Sequence, residues 1–140
     1  MYFLKEKETI LIKERGKIMY SNRKEIGNRG EEATYRYLCQ KGYKVIDRNY
    51  RSRIGEIDLV ALDPRGVLIF VEVRSRTGVS HGAPEESVDY RKQNKLRMLA
   101  QHYMLVHPKL SENPCRFDVI AVYFEGVQSI QKINHIENAF

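Results

Sequence analysis

Residues 55–76 read GEIDLVALDPRGVLIFVEVRSR, two apolar runs that each carry one acid, Asp58 in the first and Glu72 in the second. Between them stands Asp63-Pro64-Arg65-Gly66. Asp suits the first turn position, Pro a place where φ lies near −65°, and Gly a left-handed one. This chemistry predicts a hairpin with a three-residue loop closed by a G1 bulge. With Gly66 as the bulge residue, Asp63 stands opposite Val67, and counting back places Val60 opposite Phe70, Asp58 opposite Glu72 and Glu56 opposite Arg74. The other face pairs Ala61 with Ile69, Leu59 with Val71 and Ile57 with Val73, so it is apolar throughout and belongs against a core. A slip of one residue would drive Glu72 into that layer, where an unpaired carboxylate is costly or takes up a proton.

Two carboxylates directly across a ladder lie roughly 5 Å apart and repel unless something positive stands between them. A hard divalent cation suits that place, since carboxylate oxygens are its preferred ligands. Arg74, two residues beyond Glu72, shares its face by the strand's period of two.

An acid at a strand end, a hairpin and then Glu-x-(basic) resembles the metal-site signature of the PD-(D/E)xK nucleases, which share the restriction-endonuclease-like fold. Here Ile57-Asp58 stands for Pro-Asp and Glu72-Val73-Arg74 for Glu-x-Lys. A longer set of motifs resembles the YraN-like family of small bacterial proteins, uncharacterised and suspected of being endonucleases. These are Gly30-Glu31, Gly42-Tyr43, Arg48-Asn49-Tyr50-Arg51, Gly55-Glu56-Ile57-Asp58-Leu59, Phe70-Val71-Glu72-Val73-Arg74, Arg91-Lys92-Gln93, Arg116-Phe117-Asp118-Val119 and the ending His135-Ile136-Glu137-Asn138-Ala139-Phe140. The resemblance covers about residues 22–140. It implies a site of Asp58, Glu72, Arg74, Glu31 and Lys92. Mg²⁺ or Mn²⁺ would be held by Asp58, Glu72, the carbonyl of Val73 and Glu31, the acid of the family's first helix. Arg74 departs from the usual Lys, and its guanidinium stays protonated, so it can clamp a phosphate oxygen but cannot act as a general base.

The 24 Lys and Arg against 18 Asp and Glu give a net charge of +6, which suits a polyanionic substrate, although plain solubility explains the same balance. Cys39 and Cys115 are isolated, so neither a zinc site nor a disulfide framework is expected, which fits a reducing cytoplasm. No apolar run reaches the length of a membrane span, and the first twenty residues interleave charge too closely for a secretory signal. The 140 residues are enough for one domain, expected over 22–140. Residues 1–21 precede every motif and read as an N-terminal extension, disordered or holding a short element over 9–12.

Asn22 and Glu25 have capping-box spacing and Gly42 ends the helical pattern, predicting a first helix over 24–41 with Ile26, Ala33, Tyr35, Tyr37 and Leu38 as its buried stripe. Glu31 shares the face of Leu38, whereas Glu32 reads as a first-turn acid favoured by the helix dipole. Residues 44–51 read as a first strand, and Arg48, Arg51 and Arg53 cluster before the hairpin, able to neutralise phosphates or to deter edge pairing. After the hairpin comes a polar loop with His81, an incidental residue or a general acid or base. Pro84, Glu85 and Glu86 open a second helix to about Val106. Its buried stripe is Val88, Leu96, Leu99, Ala100 and Tyr103, with Lys92 at the rim. Arg91, Lys95 and Arg97 face outward. Strands over 116–124 and 127–136 complete the chain, with Asp118 in a structural role beside Arg116.

The expected fold is a three-layer α/β domain with a mixed central sheet, restriction-endonuclease-like, in the order α-β-β-β-α-β-β. The expected function is phosphodiester hydrolysis in DNA, branched or damaged DNA included, with Arg48, Arg51, Arg53, Arg76, Arg91, Lys92 and Gln93 as the nucleic-acid contacts. Cutting both strands calls for a symmetric pair of sites, hence a homodimer. Two rival readings stand beside it: a non-catalytic nucleic-acid-binding module of the same fold, and an interaction protein whose acids are salt-bridged by Arg74 and Lys92.

Overall fold

A computed structural model describes residues 15–77, 88–126 and 129–140. Along the chain lie α1 (Arg15–Gln40), β1 (Lys44–Arg51), β2 (Glu56–Leu62), β3 (Leu68–Thr77), α2 (Tyr90–Val106), a 3₁₀ turn (Pro108–Leu110), β4 (Cys115–Glu125) and β5 (Ser129–Ile136). The sheet order is β1-β2-β3-β4-β5. Every neighbouring pair is antiparallel except β3 and β4, which run parallel and are joined through α2. The α/β order expected from the sequence is the order observed. Among the described residues, no helix is long and apolar enough to cross a membrane.

Helix α1 covers one face of the sheet, where Ala33 and Leu38 meet Leu59, Ala61, Ile69, Val71, Ile120 and Val122. Helix α2 covers the other, where Leu96, Leu99, Ala100 and Tyr103 meet Ile57, Val60, Leu68, Phe70 and Val119. Two covered faces explain why β2 and β3 are nearly continuous apolar runs rather than alternating ones. The face carrying the acids is therefore core too, except at one end.

The hairpin turn forms as its residues dictate. Gly66 has φ +89°. The Asp63 N–H donates to the Val67 carbonyl at 2.9 Å and the Gly66 N–H to the Asp63 carbonyl at 2.9 Å. The Asp63 carboxylate also accepts from the backbone N–H groups of Arg65 at 2.8 Å and Val67 at 2.9 Å. The register follows as predicted, with Ala61 opposite Ile69, Val60 opposite Phe70 and Leu59 opposite Val71.

Beyond Leu59 the expectation fails. Asp58–Glu72, Ile57–Val73 and Glu56–Arg74 are not ladder pairs; β2 there follows β1, with Ile57 opposite Tyr50 and Glu56 opposite Arg51, while β3 follows β4. The cause lies in β1, where Asn49 has φ +56°, a left-handed conformation that Asn tolerates better than most residues. Such a residue breaks strand alternation, so Ile57 and Tyr50 turn into the α2 core instead of the α1 core. The sheet splays between β2 and β3 at Asp58.

Both helices begin elsewhere than expected. Helix α1 starts at Arg15 rather than near 24, because Asn costs only a few tenths of a kcal/mol inside a helix and no proline intervenes. Glu25 is therefore no capping residue; it pairs with Arg29 one turn on at 3.1 Å. Helix α2 starts at Tyr90, where the Asp89 side chain accepts from the Lys92 N–H at 2.8 Å. Pro84, Glu85, Glu86 and His81 lie outside the described residues.

Candidate active site at the splayed sheet end

In an unbroken ladder the Val73 N–H would donate to the Ile57 carbonyl. At the splay it donates instead to Asp58 Oδ2 at 2.8 Å. The gap between β2 and β3 thus draws Asp58 inward beside Glu72. Burial pushes the Asp58 carboxyl up to about 7, and the neighbouring charges of Glu72, Glu31 and Glu56 push the same way against the Val73 N–H. A carboxylate with one backbone donor and like charges around it resists ionisation. Glu72, whose side chain is 14% exposed, has Lys92 Nζ 3.5 Å from its Oε2, as the sequence placed it at the rim of the α2 stripe.

Helix α1 supplies the third acid. Gly30 lies against β3 so closely that a Cβ there would collide with the Ser75 hydroxyl, and this approach brings Glu31 to the gap. Burial raises the pKa of Glu31 and Glu56 raises it further, opposed by the Asn49 amide. With its nitrogen turned toward the acids, that amide donates to Glu31 Oε1 at 3.2 Å and to Glu56 Oε2 at 3.0 Å. The left-handed Asn49 therefore both splays the sheet and ties two acids together.

Around these groups opens a cleft of about 520 Å³ between α1 and α2. Glu31, Glu56, Asp58 and Glu72 line it, with Arg23, Lys92 and Lys95 as cations. Lys95, expected to face outward, is thus on the wall, its side chain packed beside Gly55. The cleft lining does not include Arg74, which is half-buried on β3 opposite Ala121.

The other basic candidates disperse. Arg48 pairs with Glu32 at 3.1 Å and lies over the Tyr35 ring, and Arg51 pairs with Glu56 at 3.2 Å. Glu32, deep inside the longer α1, pairs with Arg36 and Arg48 and has no first-turn role. Arg53 and Arg91 are exposed, and the Arg76 guanidinium donates to the Ser75 carbonyl at 3.3 Å. Gln93 donates to the Val88 carbonyl at 2.7 Å, anchoring the entry to α2. Asn49, Glu56, Lys95 and Arg23 are the site residues that sequence reasoning missed. Asn49 and Glu56 stood inside the quoted motifs, and an Asn within a strand pattern is the available signal for a left-handed break.

Among the described residues, no three Asp, Glu, His or Cys side chains form a ready-made metal cage. The donor set at the splay is two carboxylates, Asp58 and Glu72, and the main chain of Val73. That set fits Mg²⁺ or Mn²⁺, because such ions take one or two carboxylates and complete their shell with water and substrate oxygens. Asp58, crowded by the like charges of Glu72, Glu31 and Glu56, points to the same fit.

A second buried polar group, unforeseen in extent, sits toward the hairpin end on the α1 face. Asp118 is 1% exposed. It accepts from Arg116 Nε at 2.9 Å, from the Asn138 N–H at 3.0 Å and makes a 2.8 Å contact with His135 Nε2. Arg116 also donates to Asp63 at 3.1 Å and to the Tyr43 hydroxyl at 3.0 Å, and His135 Nδ1 is 3.0 Å from the Tyr37 hydroxyl. Burial alone would raise the Asp118 pKa, but its bonds from His135, Arg116 and Asn138 hold it below the ordinary value.

Comparison with known proteins gives one consistent result. The family model described as "Uncharacterised protein family UPF0102" matches residues 30–122. The chain is 54% identical over 121 residues to a UPF0102 protein of Desulforamulus reducens, covering 86% of this chain and 99% of the relative. A UPF0102 protein of Pelotomaculum thermopropionicum is 47% identical over 122 residues, covering 87% and 100%. Among solved structures, Pyrococcus furiosus SfsA in complex with Ca²⁺ aligns with a TM-score of 0.36 at 16% identity, over 82% of this chain and 63% of that one. On the family model and these relatives, the chain belongs to the uncharacterised family UPF0102, the YraN-like family.

Proposed function

We propose that the protein is a metal-dependent nuclease that hydrolyses phosphodiester bonds in DNA at the cleft between α1 and α2. The observation that carries this reading is Asp58, half-buried beside Glu72, with its pKa pushed up to about 7 by burial and by the neighbouring acids. Asp58, Glu72 and the Val73 carbonyl would hold Mg²⁺ or Mn²⁺, which when bound supplies charge against the phosphate and a more acidic water. Lys92 and Lys95 line the cleft from α2 and can clamp phosphate oxygens beside the acids. Lys92, 3.5 Å from Glu72, takes the place by the acids that the nuclease motif gives to its lysine, though it comes from a helix. Glu31, its proton affinity raised by burial, is a stronger acceptor for a proton from water than an ordinary glutamate. Asn49 keeps Glu31 and Glu56 in place.

The test is titration of Mg²⁺ and Mn²⁺ against a panel of linear and branched DNAs. The parent should cut at least one of them, and Asp58→Asn and Glu72→Gln should not, while all three bind DNA without metal. Binding by all three with no cleavage under any condition would favour the second reading, a non-catalytic nucleic-acid-binding module. One observation speaks for that alternative: Arg74, at the motif's basic position, is absent from the cleft lining. The particle mass with and without DNA tests the homodimer.

A further inference from the structure

A second groove, of about 560 Å³, adjoins the acidic cleft along the outer side of α2. Lys92 and Lys95 line both cavities, so a phosphate held by these lysines lies at the border of the two. The groove differs in chemistry from the cleft. Arg91 joins the two lysines as a third cation, and Ile54 and Met98 give it an apolar floor. Asp89, the acid on its wall, is committed to capping α2 through the Lys92 N–H at 2.8 Å. Met98, in the groove lining, is 52% exposed, and Tyr90, beside the lining residues Asp89 and Arg91 but not itself in the lining, is 74% exposed. Tyr90, Asn94 and Met98 recur every four residues and so form one stripe of α2.

We propose that this groove binds a single-stranded segment of nucleic acid, seating an unpaired base on Met98 and Tyr90 beside the phosphate held by Lys92 and Lys95. This deepens the nuclease reading and rests on its nucleic-acid part. Inside a duplex both faces of every base are covered by neighbours, and the protein meets only backbone and base edges. An exposed aromatic and an apolar floor beside a cationic track are the features that bind single strands, since every base offers a π-face once unstacked. The groove is also of a size for one small ligand unit, within the range of roughly 300 to 1,000 Å³. The substrate class is then a strand with unpaired nucleotides next to the cut, such as a flap, a gap or a frayed end.

The experiment measures binding of the full chain in EDTA to labelled oligothymidine of about a dozen residues and to a blunt duplex of the same length. Oligothymidine should bind more tightly than the duplex. Tyr90→Ala and Met98→Asp should each weaken oligothymidine by about tenfold, the loss expected for one base stack, while duplex affinity changes by less than about twofold. Both positions are exposed, and a thermal melt confirms that each variant folds. An abasic oligomer should be insensitive to Tyr90→Ala. Equal binding of both DNAs, or single-strand affinity that neither variant alters, would overturn the proposal and leave the groove to another kind of partner. Because no metal is present, absence of cleavage elsewhere does not touch this result. Cleavage that survives in the face of groove-indifferent binding removes the groove alone.

Discussion

At the hairpin end of the sheet Asp63 and Asp118 are buried and remain more acidic than usual; at the splayed end Asp58 is half-buried and its carboxyl rises to about 7. Burial opposes the charged form in all three. The difference is partners. Arg116 alone reaches both Asp63 and Asp118, and Asp118 adds His135 and the Asn138 N–H. Asp58 accepts from the Val73 N–H and is crowded by the like charges of Glu72, Glu31 and Glu56. A buried acid that is fully met holds a fold together, whereas one left short of positive charge is poised for something that arrives later.

The comparison breaks most sharply on substitution of the satisfied network. Asp118→Asn or Arg116→Met should cost about 3–5 kcal/mol in urea unfolding, because each strands a buried charged partner. If either variant is as stable as the parent, the network is not what separates the two ends.

Metal should distinguish them next. With free Mg²⁺ at about one hundred times its dissociation constant, the parent should gain about 2.7 kcal/mol through linkage. Asp58→Asn and Glu72→Gln should gain little, while a variant of the Arg116 network that still folds should keep the gain. A gain in Asp58→Asn equal to the parent's would place the ion elsewhere.

The two ends also respond oppositely to pH. Asp58 folds with its pKa near 7 against an ordinary 3.8, so between those values the folded state binds more protons than the unfolded one, and its contribution to stability falls as pH rises through that window. In metal-free buffer Asp58→Asn should match the parent near pH 4 and exceed it by about 2 kcal/mol near pH 8, allowing for charge shared among coupled acids. Asp118 has the reverse sign: its pKa is lowered, so its contribution is present above 3.8 and is lost as pH falls below that value. A parent whose stability rises from pH 5 to 8 relative to Asp58→Asn would contradict the assignment.

How far the sequence disclosed this contrast depends on locality. The turn residues Asp63 to Gly66 act on their own neighbours, so the hairpin and its register to Leu59–Val71 could be counted out directly. The α2 stripe was legible because its period is internal to one helix, and it led correctly to Lys92 at the rim. The splay was not legible, since it follows from one left-handed Asn49 on a different strand, and with it went Ile57's face and Glu56's neighbours. Nor could one read how widely Arg116 would reach, because Asp63 and Tyr43 meet it, and His135 meets its partner Asp118, only through the sheet order. The start of α1 failed for a local reason: an Asn that can cap was taken as a cap, though it is also tolerated within a helix.

The smallest expected effect tests whether Lys92 belongs with Arg116 or with a substrate. Both are cations within ion-pair distance of a buried acid, and the distinction lies in exposure: 11% for the Arg116 side chain, 43% for that of Lys92. A half-exposed ammonium keeps much of its hydration, so its attraction to Glu72 is nearly offset by desolvation and side-chain ordering. Lys92→Gln should therefore change unfolding free energy by no more than about 0.5 kcal/mol. The same substitution should weaken DNA binding at every sequence and lower the slope of log affinity against log salt by about 1, the signature of one lost phosphate contact. A loss of several kcal/mol with an unchanged salt slope would instead make Lys92 the counter-ion of Glu72. The splayed end would then be a second satisfied network, and the contrast with Arg116 would disappear.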